Sequence, residues 1–172
     1  MKIGDQMVNM DAFPEGLGFA VNKQNLQNME ITASKPVQTV ITIENLTTFF
    51  RFKRENSLII YLGGYHNHIR RLLLQKIYEV FTTARYDHFG DIDAGGFRIY
   101  YHLKEKTGIP FNLYKMDLET LKMYEKYGKK LTENDRKRLK KLKDTKIEES
   151  ERQCVDHMLK YNVKLEQECI IE

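Results

Sequence analysis

YDHFGDIDAGGFRIY, residues 86–100, is the stretch whose reading decides the fold. Tyr86 to Ile92 has the aromatic and apolar character of a strand. Gly95-Gly96 then opens a helix that runs to Lys106, ahead of Gly108. A strand feeding straight into a helix through small residues is half of a βαβ unit. Working upstream, VQTVITIE at 37–44 is β-branched, bounded by Pro36 and Asn45, and reads as a buried strand. Leu46 to Phe52 reads as a short helix, and SLIIYL at 57–62 as a second strand stopped by Gly63-Gly64. Asn67 to Ala84 carries Ile69, Leu72, Leu73, Ile77, Val80 and Phe81 at helical spacing. Downstream, Phe111 to Met116 reads as a fourth strand, followed by helices at Leu118–Tyr127, Glu133–Lys143 behind a Thr132 N-cap, and Ile147–Lys160. Asn162 to Glu172 has no clear pattern. Strands alternating with helices predict an α/β, Rossmann-like fold: a mostly parallel four-stranded sheet with helices on both faces, plus a helical C-terminal segment.

Residues 1–36 are weakly patterned, with turn residues from Asp11 to Gly18, a short strand at Gly18–Val21, a turn or short helix at Asn22–Met29 and a break at Ser34-Lys35-Pro36. They read as a lead-in, the remnant of or linker from an upstream domain. The expected partition is therefore 1–36 lead-in, 37–120 core, and 121–172 basic helical extension.

At 172 residues the chain can bury a core without staples. No apolar run is long enough to span a bilayer, and the N-terminus shows no secretory signal. Cys154 and Cys169 form neither a disulfide framework nor a cysteine-rich zinc site, which favours a cytoplasmic home. The net charge of +4 is mild, but Lys122 to Lys146 holds 11 Lys/Arg against 4 Asp/Glu, leaving the remainder slightly acidic. Such a stretch, with Lys137, Arg138 and Lys141 at helical spacing, can meet phosphates. The plain alternative is a solvated lysine-rich helix face.

In parallel sheets, sites form beyond the carboxyl ends of the strands. Glu44 closes the first strand; Asp91 and Asp93 close the third. Three carboxylates on one edge repel one another unless a cation lies among them. A hard divalent ion, Mg²⁺ or Mn²⁺, suits such oxygens. Gly95 and Gly96 leave the first turn of the next helix open to a phosphate. Asp93 is equally well placed to cap that helix. Arg51, Lys53 and Arg54 follow Glu44 closely enough to reach a nucleic-acid backbone, though an exposed loop explains them as well. His66 lies on the site edge, and His88 reads as a structural strand residue. Glu166 and Glu168 could approach the site, though a solvated terminus explains them as well.

Glu at the end of one strand and Asp-x-Asp at a later one resembles the Toprim domain of topoisomerases, primases and related nucleases. IENLTTF at 43–49 and GDIDAGGFRIY at 90–100 look more closely like the C-terminal domain of the JetD subunit of Wadjet anti-plasmid systems. The Asp-x-Asp-x-x-Gly-x-x-Ile spacing is also similar to that in topoisomerase VI. The likeness covers residues 37–120, and LEQE at 165–168 extends it towards the C-terminus. It implies metal-dependent cleavage of DNA phosphodiesters, with Glu44 as general acid/base and Asp91 and Asp93 as metal ligands. It also implies SMC-type partner subunits. Double-stranded DNA, bound without sequence preference through the basic stretch, is the expected partner, and a homodimer is one open assembly. No winged-helix tyrosine is recognisable, so topoisomerase activity is not implied.

Two other readings compete. The same fold could bind DNA or a partner without being catalytically complete. Alternatively, Asp-x-Asp could serve a sugar-nucleotide transferase or a phosphatase of the haloacid dehalogenase type. The phosphatase carries its motif after the first strand, and the transferase does not require Glu44.

Overall fold

The computed structural model describes residues 1–9, 12, 20–32 and 35–170. A small antiparallel sheet comes first, formed by β1 (Lys2–Ile3), β2 (Gln6–Met7) and, after helix α1 (Lys23–Gln27), β3 (Met29–Glu30), in the order β2-β1-β3. The helix expected near Asn22 is α1, capped by the Asn22 side chain. Most of the turn expected at 11–18 and part of the strand expected at 18–21 lie outside the described residues. Ala20 and Val21 are irregular.

The central sheet takes the strands in the order β5-β4-β6-β7, all parallel. Strand β4 (Thr39–Ile43) is buried at every residue, as a central parallel strand covered on both faces must be. Helix α2 (Leu46–Arg51) leads to β5 (Ser57–Tyr61) at the sheet edge, and α3 (His68–Val80) crosses to β6 (Arg85–Phe89) on the other side of β4. Helix α4 (Ala94–Thr107) then leads to β7 (Asn112–Leu113).

All four strands of this sheet are shorter than their sequence suggests. β6 leaves the ladder at Gly90, and Ile92 pairs instead, antiparallel, with Leu165. β7 shrinks to two residues because the chain turns at Lys115, which has a positive φ of 52°.

Beyond the sheet come α5 (Leu118–Met123), which tightens into a 3₁₀ turn at Glu125–Tyr127, then β8 (Lys129–Lys130), α6 (Glu133–Lys143), α7 (Glu149–Tyr161) and β9 (Val163–Lys164). A last 3₁₀ turn covers Gln167–Cys169. The Thr132 side chain and Asp135 form the capping box that sets the start of α6. β8 and β9 pair antiparallel.

Two cores cover the two faces of the sheet. Ile41, Ile43 and Phe89 pack with Leu121, Leu139, Leu142, Val155 and Met158, so the helices after residue 120 share the core of the sheet. Val40, Ile60 and Tyr86 pack with Leu74, Ile77, Ile99 and Leu103 on the opposite face. Among the described residues no helix is long and apolar enough to cross a membrane.

Candidate functional site

Because β4 and β6 are neighbours with Ile43 opposite Phe89, Glu44 and Gly90 leave the sheet side by side, and Asp91 follows one residue later. The backbone N–H of Glu44 still donates to Phe89 O at 3.2 Å. The two expected acids therefore sit at the carboxyl ends of adjacent strands. Glu44 lies across position 90, where a Cβ would fall 2.0 Å from its Oε1; only glycine admits the carboxylate there. Gly96 is constrained in the same way, since a Cβ would stand 2.1 Å from Asp91 O.

Asp91 is the electrostatic centre. Burial is the largest cause of a pKa raised from 3.8 to about 6, and the carboxylates of Asp93, Glu44 and Glu166 push it the same way. The backbone N–H of Gln167, donating to Asp91 Oδ1 at 2.8 Å, offsets part of this rise.

Asp93 caps α4. Its Oδ1 accepts from Gly95 N at 2.7 Å and Gly96 N at 2.8 Å. This corrects the expectation that Gly95 and Gly96 present free N–H groups to a phosphate. A capping aspartate is the better-placed acceptor for both.

Glu44, Asp91 and Asp93 each spend one oxygen within the protein and keep a second without a hydrogen-bond partner among the described residues. Among those residues, no three His, Cys, Asp or Glu side chains close on a single point as a ready-made metal cage. The donors on offer are carboxylate oxygens from two adjacent strand ends. That chemistry suits a hard divalent ion held by one or two carboxylates and several waters.

The basic residues divide. Arg54 turns its guanidinium onto the wholly buried Asp87 at 3.6 Å and lies over the Tyr114 ring at 5.6 Å. It answers an internal charge, and it is not brought to the carboxylates. Arg51, in the last turn of α2, and Lys53 are exposed on the segment leading into β5. A six-residue helix returns the chain towards the start of the next strand. Lys137, Arg138 and Lys141 are exposed on α6, whose Leu139 and Leu142 are buried. The first turn of α6 is tied to β9 by Lys164 and Asp135 at 2.9 Å.

Four further side chains join the acids; Gln167 is unforeseen in the sequence, and His88 reads there as structural. His88 is fully buried, and its Nε2 lies 2.9 Å from Glu44 Oε1. Gln167, also fully buried, accepts from Asn45 N at 2.9 Å and donates to Phe89 O at 3.0 Å, so one side chain joins the ends of β4 and β6. Glu168 accepts from the Asn45 side chain, and Glu166 pairs with Lys129 at 2.6 Å while adding to the field at Asp91. The C-terminal segment is thus part of the site.

On the β5 side of this edge, His66 is buried with its Nε2 3.1 Å from His102 Nδ1. Burial, reinforced by His102 and the nearby Arg71, pushes its pKa down to about 4.

The family model described as "Wadjet protein JetD, C-terminal" matches residues 6–172. A protein named Wadjet protein JetD, from Bacillus cereus (strain Q1), is 27% identical over 175 residues, covering 99% of this chain. The chain spans 42% of that relative's length.

Proposed function

The chain belongs to the family of Wadjet protein JetD C-terminal domains, and on that premise we propose that it is a metal-dependent, Toprim-type DNA-cleaving domain of a plasmid defence system. The observation that carries the reading is the convergence of Glu44 and Asp91 at adjacent strand ends, with Asp91 raised to about 6 by burial and by neighbouring carboxylates. Such crowding of acids opposes folding and is typical of sites that need it for chemistry.

In this reading Asp91 and Asp93, through their unpaired oxygens, and Glu44 beside them hold Mg²⁺ or Mn²⁺. The ion, when bound, neutralises charge on the scissile phosphate and eases departure of the leaving oxygen. Glu44 takes the proton of the attacking water or supplies one to the leaving oxygen. Gln167 keeps the two strand ends at fixed separation. The exposed face of α6, with Lys137, Arg138 and Lys141, meets the backbone of double-stranded DNA without reading sequence. A cytoplasmic setting and SMC-type partner subunits belong to the same proposal through the family resemblance.

A second reading, a Toprim-fold binding module that is catalytically incomplete alone, is favoured by one observation: no three described side chains close on an ion. Alignment of a phosphate with its attacking water is worth about 7–11 kcal/mol, and carboxylates alone do not supply it. The isolated chain is therefore expected to nick plasmid slowly, with Mn²⁺ preferred over Mg²⁺. The test is nicking of supercoiled plasmid by wild type and Glu44→Gln in Mn²⁺. Metal-dependent nicking lost in the variant supports the nuclease. DNA binding without nicking in either protein supports the binding module.

A further inference from the structure

The register pairs Thr42 with His88 on the two central strands. Side chains alternate along a strand, so Thr42 and Glu44 share one face of β4 and its extension, and His88 and Gly90 share the matching face of β6. The His88 ring is wholly buried and stacks on Tyr100, with centroids 6.2 Å apart and planes 24° from parallel. Its Nδ1 lies 2.9 Å from Thr42 Oγ1 and its Nε2 lies 2.9 Å from Glu44 Oε1. The missing Cβ at Gly90, which would stand 3.1 Å from His88 Nε2 and 2.0 Å from Glu44 Oε1, is what lets the ring and the carboxylate meet.

The hydroxyl of Thr42 has a single proton to give. Its two acceptors are His88 Nδ1 at 2.9 Å and Asp87 O at 3.3 Å. The shorter contact takes the proton. In a neutral ring Nδ1 then accepts, and the proton lies on Nε2, aimed at Glu44. The opposite tautomer would set a bare nitrogen lone pair against a carboxylate oxygen in a buried place, which is the costlier arrangement.

We propose that His88, held by Thr42 in the tautomer with its proton on Nε2, is a positioning residue that fixes the orientation of Glu44 for proton transfer. The inference rests on the nuclease reading and deepens it. Glu44 Oε1 is engaged by His88, the carboxylate plane is set by that contact, and Oε2 is the oxygen left to face both the ion and the reacting water or leaving group. Neither Thr42 nor His88 touches substrate; both act through Glu44.

The experiment has two arms on the full chain. The first is ¹⁵N NMR of the histidine rings without metal or DNA. The expected result is a His88 ring protonated on Nε2 and bare at Nδ1, with this pattern lost in Thr42→Val. The second is Mn²⁺-dependent nicking. His88→Ala empties a fully buried position and disturbs packing, so Thr42→Val, which keeps the side-chain shape, is the decisive variant. Its kcat is expected to fall about 10–100-fold at unchanged KM, with Thr42→Ser close to wild type. His88→Gln, which keeps an N–H donor at similar reach, is expected to retain more activity than His88→Ala. A His88 ring protonated on Nδ1, whether or not Nε2 also carries a proton, or Thr42→Val turning over at the wild-type kcat, overturns the inference. Failure of the nuclease reading has a different signature: wild type without metal-dependent nicking, or Glu44→Gln still active. The NMR arm then still decides the tautomer.

Discussion

Asp91→Asn is expected to stabilise the fold at neutral pH while abolishing its chemistry. The pKa of Asp91 stands at about 6 in the folded chain, against the ordinary 3.8. The native state thus holds the proton more tightly than the unfolded one. The carboxyl is neutral in both states below about pH 4, so nothing is lost there. As pH rises from about 4 through about 6, the native state must keep a charge that the unfolded chain carries at no cost, and stability falls. At about 1.4 kcal/mol per tenfold change in affinity, the loss at pH 8 is at most about 3 kcal/mol. Asparagine keeps the Oδ1 that accepts from Gln167 N, so the hydrogen bond survives the substitution. Urea unfolding with chelator present should show Asp91→Asn within about 0.5 kcal/mol of wild type at pH 4 and about 1–3 kcal/mol more stable at pH 8. In a chain of 172 residues that corresponds to a gain of roughly 3–10 °C in Tm. Millimolar Mn²⁺ should then raise the Tm of wild type at pH 8 and leave the variant unmoved. A variant less stable than wild type at pH 8, or a difference that does not change with pH, would refute the argument that Asp91 is held against its neighbours.

Three further outcomes follow from the geometry. Gly90→Ala puts a Cβ 2.0 Å from Glu44 Oε1; it should cost about 1–3 kcal/mol by overpacking and eliminate nicking by displacing Glu44, which urea unfolding and plasmid assays measure together. Gln167→Leu removes the acceptor of Asn45 N and leaves Phe89 O only the N–H of Glu44, and should cost about 1–3 kcal/mol in urea. Reversing Lys137, Arg138 and Lys141 to Glu should weaken DNA binding equally across sequences and reduce the slope of log affinity against log salt by up to about 3, read by fluorescence anisotropy.

The central sheet was legible because its chemistry is local. β4 is a β-branched run between Pro36 and Asn45, β5 stops at a glycine pair, and Thr132 with Asp135 marks the start of α6. The strands β1, β2, β3, β8 and β9 are two residues long, too short for an alternation of period two to register. At the site, the acids could be found because strand ends in a parallel sheet share an edge. Their partners could not. His88 meets Glu44 across 44 residues, and Gln167 reaches Asn45 across 122. Only the register and the return of the chain through Leu165 bring these together. Arg54, close in sequence to Glu44, likewise has a partner the sequence does not show, the buried Asp87 on β6.

The most direct test of the account is the position of the ion itself. Crystals grown with Mn²⁺ and a short DNA duplex, measured at a wavelength where manganese scatters anomalously, should show a peak bonded to carboxylate oxygens of Glu44 and Asp91 and to a phosphate oxygen. A DNA phosphate seated at this edge with no manganese between it and these carboxylates, or manganese bound only elsewhere on the chain, would contradict it.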